Sequence, residues 1–154
     1  MQLKFSHVDI LVKDLEASAN YYKKVLSCTA STVHDWNREG FHVRYVLMFN
    51  GAERFCLVQP IAGNLKTMLD EKGEGTIYRL CYTVPNMDST YKELVGQGIQ
   101  PENENGEPLS LDNLNTPDGS RIIWLPKAFG TLSIELLEEA GFEAQIEKAR
   151  VSAS

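Results

Sequence analysis

Cysteine is scarce in this chain of 154 residues, and the three that occur, Cys28, Cys56 and Cys81, show no Cys-x-x-Cys spacing. A disulfide framework is therefore not expected, and a reducing cytoplasm is the expected location. No apolar run approaches the roughly 18 residues that a membrane span needs. The first residues also lack the apolar core of a signal peptide. We therefore expect a cytoplasmic protein that has no membrane partner.

Basic residues are fewer than acidic residues: the chain has 15 Lys and Arg against 21 Asp and Glu, which gives a formal net charge of −6. Such a chain repels phosphate backbones, so a nucleic-acid partner is not expected. Hydrophobic residues make up 43% and charged residues 23% of the chain. Both fractions are close to globular averages, which argues against disorder, coiled coil and collagen. The length fits one domain.

Two segments of the chain are similar to each other. His7–Leu15 can be laid over Arg79–Met87 at an offset of 72 residues, from position 7 to position 79. Each segment begins as a strand rich in β-branched and aromatic residues. Each then reaches a residue that can cap a helix, Asp14 in the first copy and Asn86 or Asp88 in the second. An internal repeat of strand and helix is therefore predicted.

The repeat predicts the element order βαβββ, a linker, and βαβββ. Apolar spacing places helices over 15–26 and from residue 87 to Gly96 or Gly98, with a short helix over 64–72 and a terminal one over 142–150. The modules cover about 3–60 and 75–139, the linker 61–74 and the tail 140–154. Pairing of the two half-sheets would complete an α+β domain. The remaining strands are predicted at about Thr29–His34, Phe41–Phe49, Arg54–Gln59, Ser110, Arg121–Leu125 and Thr131–Leu137.

Several segments carry a resemblance to a known family: Phe5–Ser18, Tyr21–Lys23, and Pro126–Lys127 with Gly130–Leu136. With the repeat, they make the chain similar to the vicinal oxygen chelate superfamily of glyoxalase I, bleomycin-resistance proteins and dioxygenases. Phe55–Gly63 is most similar to methylmalonyl-CoA epimerases. The resemblance extends over about residues 3–139. It implies tandem βαβββ repeats whose half-sheets form a shared cleft, and a homodimer.

The resemblance also implies a divalent metal held by one residue from each of four strands. His7 and Glu135 match the first and fourth ligands, whereas Cys56 stands at the second and Arg79 at the third. Arginine is permanently protonated and has no lone pair to give to a cation. The metal site is therefore predicted to be dismantled, and no cofactor is expected. Zinc on His7, Cys56 and Glu135 stays open as an alternative.

A different site is predicted from the same positions. Strand alternation groups His7 with Asp9, Arg79 with Cys81, and Glu135 with Ser133. The resemblance adds the face of Arg44, although an epimerase keeps an acidic base near that position. The candidate catalytic residues are His7, Asp9, Arg79 and Glu135, and the candidate substrate-binding residues are Arg44, Cys56, Cys81 and Ser133.

Three functions remain open. The favoured one is a metal-independent enzyme that uses acid–base chemistry on a small carbonyl, acyl or natural-product-like compound, as an isomerase, epimerase, cyclase or lyase. The second is a metal-dependent relative of lactoylglutathione lyase or methylmalonyl-CoA epimerase. The third is a resistance-type protein that sequesters a small molecule. The partner is a small molecule in each case, and the arginines suit an anionic one.

Each assignment has a purely structural counterpart. Arg79 and Glu135 could form only an internal salt bridge, and Asp9 could pair with His7 without any chemistry. Buried free cysteines commonly act as small apolar fillers. Trp36, Trp124 and the tyrosines are assigned to the core rather than to a ligand site. The geometry of these groups decides between the two interpretations.

Overall fold

The structure is a computed structural model that describes residues 1–116, 119–127, 130 and 132–154. Contacts divide the chain into two compact units. The first, here called the Arg79 unit, comprises Met1–Ser6 and Arg79–Ile146; the second, the His7 unit, comprises His7–Tyr78 and Glu147–Ser154. The elements of the described residues are β1 Lys4–Leu11, α1 Leu15–Leu26, β2 Thr29–Ala30, β3 His34–Arg38, β4 Phe41–Asn50, β5 Glu53–Ala62, α2 Asn64–Lys72, β6 Ile77–Val84, α3 Met87–Gly96, a 3₁₀ turn Leu111–Asn113, β7 Ile122–Leu125, β8 Ser133–Glu138 and α4 Glu139–Ser152.

The His7 unit is built on a sheet in the order β2-β4-β5-β1, with β3 also paired to β4. β1 runs parallel to β5, whereas the other pairs are antiparallel. The hairpin between β4 and β5 turns at Gly51 and Ala52, after the last ladder pair of Asn50 and Glu53. Gly51 has a φ of +57°, which a side chain would disfavour. This turn sets the register in which Cys56 of β5 faces Leu47 of β4.

Helix α1 covers one face of that sheet. Its first turn is capped by Asp14, whose carboxylate accepts a 2.9 Å hydrogen bond from the backbone of Ala17. Leu15, Met48 and Leu57 have no exposed surface and meet beneath the helix. Complete burial of side chains of this size contributes about 1.5–3 kcal/mol each. The helix face of the sheet is therefore its hydrophobic face.

The Arg79 unit repeats this arrangement with fewer strands. β8 lies between β6, to which it is parallel, and β7, to which it is antiparallel. Asn86 caps α3 by accepting a 2.9 Å hydrogen bond from the backbone of Ser89. Met87, Ile123 and Leu136 are the centre of its core, each at most 1% exposed. Apolar side chains thus fill the helix face of this sheet as well.

The structure confirms the predicted α+β class and the positions of the helices, and it corrects the strands in two places. No strand forms near Ser110 in the described part of the chain, which instead makes the 3₁₀ turn. The carbonyl of Leu109 accepts hydrogen bonds from Tyr91 Oη at 2.7 Å and Gln100 Nε2 at 2.8 Å, so side chains take the place of a ladder. The predicted strand over 29–34 is only Thr29–Ala30, and β3 follows it. Thr131, the predicted start of β8, lies outside the described residues.

None of the helices in the described residues is both long enough and apolar enough to cross a membrane. The longest, α4, has 14 residues and carries Glu and Lys along its length.

Candidate functional site

Four of the predicted site residues share one face of the Arg79 unit. In the parallel ladder of β6 and β8, Arg79 is paired with Ser133 and Cys81 with Glu135. Alternate residues of a strand point to the same side of the sheet. All four side chains therefore lie on the face opposite α3, as the sequence predicts. Cys81 Sγ lies within 4.8 Å of the Glu135 carboxylate.

Arg79 and Glu135 form an ion pair that is largely withdrawn from water. The Nη1 of Arg79 lies 3.2 Å from Oε2 of Glu135, and the two side chains are 13% and 10% exposed. The Nε of Arg79 also donates to Oγ of Ser133 at 3.4 Å. Two buried charges are tolerated because each compensates the other, and removal of one partner would leave the other uncompensated. The guanidinium is therefore held in one place by two residues of β8.

Trp124 adds an aromatic ring to this face. It lies opposite Glu135 in the β7–β8 ladder, while its backbone exchanges two hydrogen bonds with Glu102 on its other side. Trp124 and Glu135 are thus a non-hydrogen-bonded pair, in which antiparallel side chains lie closest. The Cζ of Arg79 is 5.6 Å from the ring centroid, within the range of a cation–π contact. The sequence alone indicates a core position for this ring. The register between β7 and β8, which only the fold supplies, places it next to the ion pair.

The indole N–H of Trp124 lacks a hydrogen-bond acceptor among the described residues, although the nitrogen itself is buried. Buried donors in folded proteins are nearly always paired. Near an arginine and a serine hydroxyl, this donor is a third group that can bind an acceptor oxygen.

The His7 unit holds the second pair of predicted catalytic residues. The Nε2 of His7 lies 3.2 Å from Oδ1 of Asp9, and each side chain is only 6% exposed. They lie two positions apart on β1 and so share a face, as predicted. Asp9 is paired in register with Cys56 on β5. A carboxylate beside an imidazole can orient the ring, an arrangement suited to proton transfer.

Arg44 does not join these residues, and the prediction that it does is wrong. Its Nη2 lies 2.5 Å from Oε1 of Glu16 on α1, and its Nη1 donates to Gln59 at 3.4 Å. Arg44 shares its face with Val46, which packs beneath α1. Leu57 is the cross-strand partner of Val46 and shares its face. Cys56 is the residue before Leu57, so its side chain points to the opposite face. The apolar contacts of β4 with the helix set this alternation.

One of the positions that the resemblance assigns to metal ligands carries an arginine, which cannot coordinate a divalent cation. Arg79 stands at one of them and binds Glu135, which stands at another. The thiol of Cys56 donates to the Leu57 carbonyl at 3.9 Å. Side chains of metal-ligating type are buried in each unit, His7 and Asp9 in one and Cys81 and Glu135 in the other. The guanidinium of Arg79 disfavours a cation at the Glu135 carboxylate in two ways. It already binds the carboxylate oxygen, and its positive charge repels the cation.

Comparison with solved structures finds similar folds over nearly the whole chain. Methylmalonyl-CoA epimerase from Mycobacterium tuberculosis is 27% identical, with 92% of this chain and 91% of that chain covered and a TM-score of 0.69. A hypothetical protein from Bacillus halodurans C-125 is 20% identical, covers 90% and 96%, and has a TM-score of 0.70. A variant of Streptomyces coelicolor methylmalonyl-CoA epimerase in complex with 2-nitronate-propionyl-CoA is 22% identical, covers 89% and 94%, and has a TM-score of 0.62.

A search of curated proteins gave no match. The family comparison did: residues 6–110 match the glyoxalase/bleomycin resistance protein/dioxygenase superfamily, which is more than half of the chain. Together with the fold similarity, this match confirms the resemblance that the repeat and the opening segment indicate. The chain belongs to the glyoxalase/bleomycin resistance protein/dioxygenase superfamily.

Proposed function

We propose that this protein is an enzyme that removes and returns a proton next to a carbonyl group of a small acyl or carbonyl compound, without a divalent metal. Some isomerases, epimerases, cyclases and lyases use this step. The observation that carries the proposal is the buried ion pair of Arg79 and Glu135 at two positions that the family resemblance assigns to metal ligands. A fixed guanidinium can stabilise the oxyanion that a metal would otherwise stabilise.

The reaction begins when a substrate oxygen takes the place of the Glu135 carboxylate at Arg79. The released carboxylate then accepts the proton as the C–H bond next to the carbonyl breaks. The electron pair of that bond moves to the carbonyl oxygen, and Arg79 holds the resulting enolate by charge-assisted hydrogen bonds. Return of a proton to carbon completes an isomerisation, whereas expulsion of a leaving group completes an elimination.

Within the His7 unit, His7 and Asp9 form a pair of groups that can transfer a proton. Asp9 lies where it can orient the imidazole. Their 3.2 Å contact and near-complete burial support a defined orientation. Cys81 and Ser133 serve as neighbouring contacts for the substrate in the Arg79 unit, with Ser133 able to donate a hydrogen bond.

Similarity to methylmalonyl-CoA epimerases supports an acyl thioester as one substrate class. The M. tuberculosis epimerase shares 27% of its residues with this chain over almost the full length. Thioesters, like ketones, acidify the neighbouring C–H bond, which is the bond that the proposed step breaks. Small carboxylates attached to the carbonyl would add a charge that Arg79 can recognise.

Hydrogen exchange in D₂O tests the proposal without knowledge of the product. Methylmalonyl-CoA, propionyl-CoA and acetoacetate are incubated with the protein, and loss of the α-proton signal is followed by NMR. We expect exchange in at least one substrate, a loss of at least about 100-fold in Glu135→Gln, and a comparable loss in Arg79→Ala. Asp9→Asn tests the second pair in the same assay.

The controls are Asp88→Asn and Arg121→Ala, which break another ion pair of the Arg79 unit at the start of α3. Both should retain the exchange rate of the unmodified protein. Exchange that survives both Glu135→Gln and Arg79→Ala would refute the proposal. Tight stoichiometric binding without exchange would instead assign sequestration, as in resistance-type members.

Two further expectations accompany the proposal. We expect a homodimer, which sedimentation velocity would show directly, and a cytoplasmic location, which fractionation of the source cells would test. A nucleic-acid partner is not expected for a chain with a net charge of −6.

A further inference from the structure

We propose that Trp124 is a substrate-binding residue whose indole N–H donates to an oxygen of a small carboxylate held at Arg79. This inference rests on the proposed function, since it concerns the same side chains, and it narrows the substrate to compounds with a carboxylate or with two neighbouring acceptor oxygens. Malonate and acetoacetate are the simplest members of that class.

The register of β7 supports this assignment. Trp124 faces Glu135 as a close, non-hydrogen-bonded pair, because the backbone of Trp124 bonds to Glu102 on its other side. Arg79 reaches the same ring, with its Cζ 5.6 Å from the centroid. Trp124 is therefore the ladder neighbour of Glu135, and its ring lies within cation–π range of Arg79.

The unused donor supplies a second observation. Nε1 of Trp124 is buried and finds no acceptor in the part of the chain that the structure describes. The ring face engages Arg79, so the N–H edge is the part of the indole that a ligand can use. A ligand carboxylate that replaces Glu135 at the guanidinium can place one oxygen at Arg79 and the other at this N–H. Ser133, which already contacts Arg79 at 3.4 Å, offers a further hydroxyl on the same face.

The other tryptophan is a matched control. Trp36 also stacks on an arginine, with Arg38 Cζ 4.5 Å from its ring, and its Nε1 is buried without an acceptor in the described residues. Its cross-strand neighbour, however, is the buried apolar residue Val43 rather than a carboxylate in an ion pair. Similar indoles thus differ in whether a polar group faces them.

The test follows the two indole N–H resonances by ¹H–¹⁵N NMR, because the chain has only two tryptophans. Trp124→Phe and Trp36→Phe assign the two signals. Titration with malonate, acetoacetate and methylmalonate should move the Trp124 resonance downfield in a saturable way with at least one probe, while the Trp36 resonance stays in place.

Affinity provides the second measurement. Trp124→Phe keeps a smaller aromatic face for Arg79 and removes the donor, so we expect roughly tenfold weaker binding of the same probe. Trp36→Phe should bind it as the unmodified protein does. Thermal unfolding checks that both variants are folded, and if Trp124→Phe is not, titration of the unmodified protein still decides through the resonance shift.

Several outcomes would overturn the inference: unchanged affinity in Trp124→Phe, equal movement of both indole signals, or the absence of a saturable shift with all three probes. These measurements distinguish failure of the Trp124 inference from failure of the proposed function. A Trp124 shift without any α-proton exchange supports this binding role and counts against the enzyme. Exchange with an unchanged KM in Trp124→Phe supports the enzyme and overturns the binding role.

Discussion

Arg79 Nη1 and Glu135 Oε2 lie 3.2 Å apart on adjacent parallel strands, with both side chains at most 13% exposed. Their ladder positions are two residues apart, since Arg79 faces Ser133 and Glu135 faces Cys81. The guanidinium therefore reaches along the strand direction to its partner. Each of the two buried charges is thereby compensated by a side chain of the neighbouring strand.

Breaking the ion pair on one side should destabilise the fold. We expect Glu135→Gln to lower the free energy of unfolding by about 3 kcal/mol or more, because Arg79 stays buried with its charge uncompensated. The double variant Arg79→Met with Glu135→Leu should recover much of this loss, since it removes both charges and keeps volume. Urea unfolding measures the three proteins. A single variant as stable as the unmodified chain would contradict a compensating role.

Helix α1 should depend on its cap. Replacement of Asp14 by Ala removes the acceptor for the Ala17 N–H and should cost about 1 kcal/mol. Asp14→Asn keeps an acceptor in the same place and should cost less. Thermal unfolding of the two variants makes the comparison, and equal losses would show that the side-chain hydrogen bond does not stabilise the helix start.

The core beneath α1 should be sensitive to a cavity. Leu57 has no exposed surface and packs with the helix, so we expect Leu57→Ala to cost about 2–5 kcal/mol. Val25, which is 48% exposed on the same helix, provides the control, and Val25→Ala should change stability little. Urea midpoints at constant slope measure both. A loss at Val25 that matches the loss at Leu57 would contradict the packing.

Stability should fall in mild acid through His34. Burial lowers the pKa of His34 below its ordinary value, so the folded state binds a proton less readily than the unfolded state. The unfolded chain takes up that proton as the pH falls through about 6.5, and the free energy of unfolding decreases between that pH and the lowered folded pKa.

The variant His34→Phe isolates this contribution. It keeps an aromatic ring for the stack on Tyr45, whose centroid lies 4.9 Å away, and removes the titrating group. Unfolding in urea at pH 7.5 and 5.5 should show a smaller loss in the variant than in the unmodified protein. Equal losses in the two proteins would show that His34 is not the group responsible.

Chelation should leave the protein unchanged. Since Arg79 occupies Glu135, we expect the protein purified without chelator to hold divalent metal well below one equivalent per chain. EDTA should shift neither the thermal midpoint nor the hydrogen exchange of a substrate. Elemental analysis with these two measurements decides, and one equivalent of metal with loss of exchange on chelation would restore the metal-dependent alternative.

Local chemistry in the sequence determined much of the fold. The spacing of apolar residues and the caps Asp14 and Asn86 define α1 and α3, because a helix start needs only neighbouring residues to satisfy its free N–H groups. Strand alternation likewise groups His7 with Asp9. The repeat at an offset of 72 residues predicted the rest of the α+β pattern.

Tertiary contacts decided what lies across strands. Arg44 belongs to the α1 face because Val46, two residues on, packs beneath that helix. Leu109 is not part of a strand, because its carbonyl accepts hydrogen bonds from the side chains of Tyr91 and Gln100. Neither preference is visible in the few residues around each position.

Trp124 shows the same division within the candidate site. Its sequence neighbours indicate only a buried aromatic residue on a short strand. Trp124 faces Glu135 because of the register between β7 and β8. The Trp124 ring lies near Arg79 because β8 also pairs with β6. The register between strands is set by the packing of the whole sheet. The sequence therefore determined the residue types, and only the tertiary structure decided which side chains lie next to each other.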